Sequence, residues 1–154
     1  MITPRRGILL YLALILGLLI FRWLMTPSFI WPLEDFVVSS KYNSFRSLWT
    51  RHKGIDLQAP AGTPVLAIGD GVVVFSGIQK GYGKLVIIQQ DHYQVLYGHL
   101  KEINVAMDQD INKGDTIGFV GQTGNASSAH LHLEIRDPHN GPINPLNVLP
   151  TPLR

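Results

Sequence analysis

Hydrophobic positions fall into two regimes along the chain. From Gly7 to Phe21 the sequence GILLYLALILGLLIF is apolar without interruption, and Arg22 is followed by Trp23, Leu24 and Met25. After residue 35 the apolar residues instead come in short β-branched runs: Thr63 to Ile68, Val72 to Ser76, Lys84 to Gln90, Tyr93 to Leu100, Asp115 to Val120 and His130 to Arg136. Turn-forming residues separate them at Gly69-Asp70-Gly71, Lys80-Gly81-Tyr82-Gly83, Asp91-His92, Lys113-Gly114 and Gly121 to Gly124, and each run is of strand length. No stretch after residue 35 keeps a 3.6-residue apolar period for three capped turns. The pattern predicts an all-β domain of antiparallel hairpins behind one N-terminal helix. Pro142, Pro145, Pro150 and Pro152 are expected to end it in an extended tail.

The N-terminal block has the length of either a signal-peptide core or, counted to Met25, a short membrane span. Its flanks favour an uncleaved anchor, because no A-x-A-like cleavage site follows, Arg22 can snorkel and Trp23 suits an interface. Arg5 and Arg6 outweigh Arg22 and place the N-terminus in the cytoplasm by the positive-inside bias. The expected organisation is a transmembrane signal anchor over residues 1–25, a linker over 26–35 and one extracytoplasmic domain over 36–150. A ten-residue linker spans at most about 33–36 Å, which would keep that domain near the outer leaflet of the membrane.

Charge bears this out. The 154 residues carry 13 Lys and Arg against 11 Asp and Glu, net +2. Arg5, Arg6 and Arg22 flank the apolar block, while all the acidic residues lie beyond it. The remainder is thus close to neutral and offers no basic, aromatic-laced stripe to follow a phosphate backbone, so a nucleic-acid partner is not expected. There is no cysteine, so any metal must be held by His, Asp or Glu.

Six histidines are present. His130 and His132 alternate with leucines in His-Leu-His-Leu-Glu-Ile, so on a strand both project from one face, about 6.6 Å apart along the backbone. His52-Lys-Gly-Ile-Asp56 would separate its two candidate ligands by about 13 Å if extended, too far to share one ion without a bend, and Gly54 is the residue able to supply one. Two histidines and a carboxylate form a donor set typical of catalytic zinc; Mn²⁺ and Co²⁺ also suit it. His99 follows Gly98 at a strand end, where glycine permits close approach of another group. His92 and His139 read as solvated turn residues.

Taken together, His52-Lys-Gly-Ile-Asp56, Tyr97-Gly-His99-Leu and His130-Leu-His132-Leu-Glu134 resemble the lysostaphin/LytM-type zinc metallopeptidases, with their H-x-x-x-D, lone downstream His and H-x-H motifs. The likeness runs from about residue 36 to 147. It implies that His52, Asp56 and His132 bind one Zn²⁺, that His99 and His130 are the catalytic histidines, and that the fold is predominantly antiparallel β of the duplicated-hybrid-motif kind. The implied substrate is the peptide part of peptidoglycan. Targeting and control would come from the anchor or from membrane-complex or regulatory protein partners. A module of the same fold that binds the wall or activates another hydrolase is the alternative. Asn43 stands where that family's opening segment usually has glycine, which leaves Arg46 as either a substrate contact or a structural arginine. Glu134 is expected to orient a ligand histidine or to form a structural salt bridge.

Overall fold

The computed structural model describes Ile8 and residues 11–18, 29–139 and 141–151. Residues 11–18 are helical, and among the described residues no helix is long and apolar enough to cross a membrane. Most of the segment read as an anchor lies outside the described residues.

The rest is β structure. Eleven strands follow in chain order: β1 (Val37–Ser40), β2 (Ile55–Gln58), β3 (Pro64–Leu66), β4 (Gly71–Gln79), β5 (Gly83–Gln90), β6 (Tyr93–Leu100), β7 (Glu102–Ile103), β8 (Asp110–Ile111), β9 (Thr116–Phe119), β10 (His130–Asp137) and β11 (Gly141–Ile143). An eight-stranded sheet has the order β1-β2-β10-β6-β5-β4-β8, with β11 also paired to β10, and a smaller sheet has the order β3-β9-β7. Every pairing is antiparallel, as the hairpin-length runs and their turns predict.

The core lies on one face of the large sheet and under the small one. Leu131, Leu133 and Ile135 of β10, Ile55 and Leu57 of β2, and Val95 and Tyr97 of β6 join Val65, Ile117 and Val120 in one buried cluster. The Tyr97 hydroxyl accepts a hydrogen bond from the Ile68 amide, so the one phenol in this core satisfies its polar end against the backbone beside β3. Burial on that face forces the alternate residues of β10, namely His130, His132, Glu134 and Arg136, onto the other.

Two boundaries differ from the sequence reading. The stretch 26–35 was expected to be a linker, yet from Phe29 onward it packs on the domain: Phe29 and Leu33 are buried, Ile30 donates to the Ile68 carbonyl, Pro32 accepts from the Leu66 amide, and Trp31 Nε1 donates to the Pro150 carbonyl. Its prolines suggested a spacer, but the apolar residues between them find unpaired backbone at the edge of the small sheet. The C-terminal stretch, likewise, is not a free tail. β11 pairs with β10, a 3₁₀ turn covers Pro145–Asn147, and Leu149 is buried.

Candidate metal centre

Three neighbouring strands bring the site together. In register, Asp56 of β2 lies opposite His132 of β10, and His132 lies opposite Gly98 of β6, so a carboxylate, an imidazole and the residue before His99 stand abreast. His52 precedes β2 across the bend that the sequence requires. Gly54 is needed there, although for a different reason from the expected one. Its φ is not in the left-handed region; instead, a Cβ would fall 2.2 Å from the Leu133 carbonyl oxygen, and only glycine lets the bend press against β10.

His52 Nε2, His132 Nδ1 and Asp56 Oδ1 converge, with separations of 3.1 Å between the two nitrogens, 3.1 Å from His52 to the carboxylate and 2.9 Å from His132 to it. All three residues are buried. The outer atoms are spoken for. His52 Nδ1 lies 3.0 Å from the Lys41 carbonyl, which can only accept, so that nitrogen carries the proton. His132 Nε2 faces the Glu134 carboxylate at 3.5 Å, and Arg46 binds Asp56 Oδ2. With both rings anchored by their outer N–H groups, three lone pairs point at one spot, an arrangement that a positive charge between them stabilises. The donor types and the near-equal edges fit a tetrahedral zinc site with an open position.

Electrostatics agree. Burial alone would raise the Asp56 carboxyl, but the close contacts with His132, His52 and Arg46 hold it well below the usual carboxylate range. Burial works against a charged His132, and contact with Asp56 and Glu134 outweighs it and raises the ring's pKa. Glu134, fully buried, would also be raised by burial; His132, Arg136 and Tyr82 bring it down to about 2.

His99 and His130 flank this cluster, with ring centroids 4.8 Å apart and His99 5.8 Å from His132. Each is fixed as the same tautomer. His99 Nδ1 donates to the Thr123 carbonyl at 2.8 Å, and His130 Nδ1 donates to the Ser128 carbonyl at 2.9 Å, which leaves Nε2 of both rings carrying the lone pair; that of His130 lies 3.7 Å from Asp56 Oδ1. Burial, with help from the neighbouring His130 and His132, pushes His99 down to about 4 against the pull of the Thr123 carbonyl. His99 has φ 63°, an uncommon value for a side chain of this size and one often found where function fixes the backbone. Its amide is held by the Tyr82 carbonyl at 2.7 Å.

All five sequence-derived residues thus line one open groove of about 550 Å³. His92 and His139 lie in exposed turns. Asn43 adopts φ 64°, which explains why glycine is the expected residue there and why asparagine, tolerant of the left-handed region, replaces it. Arg46 sits on the rim, partly exposed, with its guanidinium on Asp56. The sequence reading passed over Tyr82, whose ring lies against His132 at 5.6 Å; an aromatic residue in a glycine turn carries no signal of its own. In the loop around Arg46 it also passed over Leu48 and Trp49, about nine-tenths exposed, and the stacking of Arg51 on Phe45 at 3.6 Å.

An antiparallel β domain with a His/Asp/His cluster and two further histidines in an open groove is the form of a lysostaphin/LytM-type metallopeptidase. The chain belongs to peptidase family M23, whose model matches residues 50–145. It is 47% identical over 107 residues to the DD-carboxypeptidase/endopeptidase Mpg of Neisseria meningitidis serogroup B, covering 68% of this chain and 24% of that protein. It is 37% identical over 122 residues to the murein hydrolase activator NlpD of Escherichia coli, covering 78% of this chain and 31% of that protein. The catalytic domain of lysostaphin from Staphylococcus simulans superposes with a TM-score of 0.68 at 25% identity, over 73% of this chain and 90% of that one. The chain therefore spans about a quarter to a third of these two curated relatives. Peptidases of the family are zinc-dependent.

Proposed function

We propose that the chain is a zinc metalloendopeptidase that hydrolyses peptide bonds of bacterial peptidoglycan, held by residues 1–25 in the cytoplasmic membrane with its domain on the extracytoplasmic side. The observation that carries the catalytic reading is the pairing, in one groove, of three converging ligand atoms with two histidines whose Nδ1 atoms are held by backbone carbonyls, which leaves the lone pair on Nε2. His52, Asp56 and His132 would hold the ion, and Arg46 would keep the Asp56 carboxylate turned so that Oδ1 serves it. When bound, zinc supplies Lewis acidity that polarises a carbonyl and makes water a nucleophile near neutral pH.

The proton traffic falls to His130 and His99. Metallopeptidases of other families built on H-E-x-x-H use that glutamate as base, and this sequence has no such motif. As water adds to the scissile carbonyl, Nε2 of one of these rings accepts its proton and then delivers it to the departing nitrogen as the C–N bond breaks. While it holds that proton, the same ring, donating from Nε2, would stabilise the negative charge developing on the carbonyl oxygen.

Digestion of purified sacculi by the zinc-loaded chain, followed by mass analysis of the released muropeptides, tests this reading. Conversion of cross-linked dimers to monomers, lost in His132→Ala, is the expected result. A folded, zinc-loaded protein that releases nothing would sink the peptidase reading. The similarity to a murein hydrolase activator supports a second one, a wall-bound regulator of another hydrolase; release of muropeptides only when a partner amidase is added would favour it.

A further inference from the structure

Of the four histidines in the groove, three are anchored to backbone carbonyls: His52 to Lys41, His99 to Thr123 and His130 to Ser128. His132 alone is anchored to a charged side chain. Glu134 sits two residues further along β10 on the same face, is completely buried, and presents Oε2 to His132 Nε2 at 3.5 Å. Its remaining capacity is filled: the Tyr82 hydroxyl donates to Oε2 at 2.7 Å, Arg136 Nε donates to Oε1 at 2.6 Å, and Arg136 Nη2 donates to the Tyr82 hydroxyl at 3.2 Å. His132, Glu134 and Arg136 thus form a row of alternating charge on one strand face that leads from the metal centre toward solvent.

The surroundings are shaped to keep this row closed. Tyr82 and His132 both lie close over Gly98, where a Cβ would fall 3.2 Å from the Tyr82 ring and 3.5 Å from the His132 Cβ. A buried carboxylate is costly unless paired and hydrogen-bonded, and an ion pair of Glu134 with Arg136 alone would need neither the tyrosine nor the histidine contact. We infer that Glu134, clamped by Tyr82 and Arg136, is the positioning residue that keeps the His132 proton on Nε2 and so turns the Nδ1 lone pair toward the metal. The inference rests on the metal-site reading above.

Zinc affinity of the full chain, measured by competition with a chromophoric chelator, separates this role from a structural one. Glu134→Gln preserves shape and removes the charge, and it should weaken zinc binding about 10- to 100-fold, as loss of such a partner typically does. Ile135→Ala, on the core face of the same strand, should lower stability and leave the zinc affinity of the folded protein within about threefold of the parent, whereas loss of a carboxylate partner exceeds that. Equal affinity in Glu134→Gln and parent overturns the inference, as does an equal loss in both variants. A second measurement needs no variant: in the ring ¹⁵N spectrum of the zinc-loaded parent, His132 should be protonated on Nε2 and not on Nδ1, and the opposite pattern overturns the inference. A parent chain that takes up no zinc overturns the metal-site reading and this inference together, whereas failure of the variant or tautomer results alone leaves that reading standing.

Discussion

His130 and His132 are two residues apart on one strand face, yet they differ in what holds them and therefore in what their loss should do. His132 directs Nδ1 at Asp56 and the facing His52 nitrogen, while His130 donates from Nδ1 to Ser128 and keeps its lone pair on Nε2. His132→Ala should abolish zinc binding and hydrolysis together. His130→Ala should keep zinc, by metal analysis of the purified protein, and slow turnover about 10²- to 10⁴-fold, the usual worth of a positioned acid–base group; full activity in that zinc-loaded variant would remove His130 from the proton path. His99 gives a pH signature of its own. Its folded pKa is pushed down to about 4 from an ordinary 6.5, so as pH falls below 6.5 the unfolded chain takes up the proton first and stability declines through the window down to about 4. The urea midpoint of metal-free protein should therefore drop less between pH 7 and pH 5 in His99→Asn than in the parent, asparagine being suited to the left-handed backbone there. Identical slopes would show that His99 is not held neutral. The identities of these residues were legible because H-x-H needs only strand alternation to share a face. What anchors each ring was not, since the Lys41, Thr123 and Ser128 carbonyls are backbone atoms that any residue would provide.

The strands were read best where they are long and where turns bound them. β6 follows the expected range to the residue, and β4, β5 and β10 differ by a few positions at their ends. β2 was missed as a strand even though it carries Asp56, because four residues between a bend and Ala59-Pro60 are too short for alternation to stand out. β1, β7, β8 and β11 are also two to four residues long, and the last three exist only through their pairing with longer neighbours. The β2–β10 pair is where this has a consequence for the site, since its register sets Asp56 against His132. Gly54→Ala places a methyl group against the Leu133 carbonyl at a distance no Cβ tolerates, so either the bend or β10 must shift. A loss of about 1–3 kcal/mol, as for overpacking elsewhere, is expected in urea unfolding, accompanied by weakened zinc binding because the shift moves His52 away from the two ligands on the sheet. Ala at 54 with unchanged stability and zinc affinity would mean that the close approach is not what the glycine serves.

At the scale of the molecule, candidate ligands drawn from β10, from β2 and from the turn before it would make a bound metal a clamp on the fold. Anything that binds the folded state alone raises its stability by mass action, about 2.7 kcal/mol at a hundred times Kd. For a chain of this size chelation should lower Tm by about 5–10 °C, with recovery on adding zinc in scanning calorimetry; no shift would speak against a site shared among these elements. The segment before β1 extends the same reasoning to the domain boundary. Proline-rich composition made residues 26–35 look like a spacer, and composition could not reveal that Phe29 fits against Gly69 and Tyr93 or that Leu33 has only 2% of its surface exposed. Tyr93 and His99 lie at opposite ends of β6, about 20 Å apart at the usual strand rise, so the chain reaches the domain at the end remote from the groove. An anchored domain would then be held by its far end, with its ligands directed away from the tether. Removing residues through Asp35 should cost about 3 kcal/mol or more, given about 1.5–3 kcal/mol for each large apolar side chain fully buried. The cost should appear as a lower urea midpoint than that of a chain beginning at Ser28, while zinc affinity, determined on the other side of the sheet, should stay the same. Equal midpoints would show that the segment rests on the domain without stabilising it and would restore the full ten-residue tether.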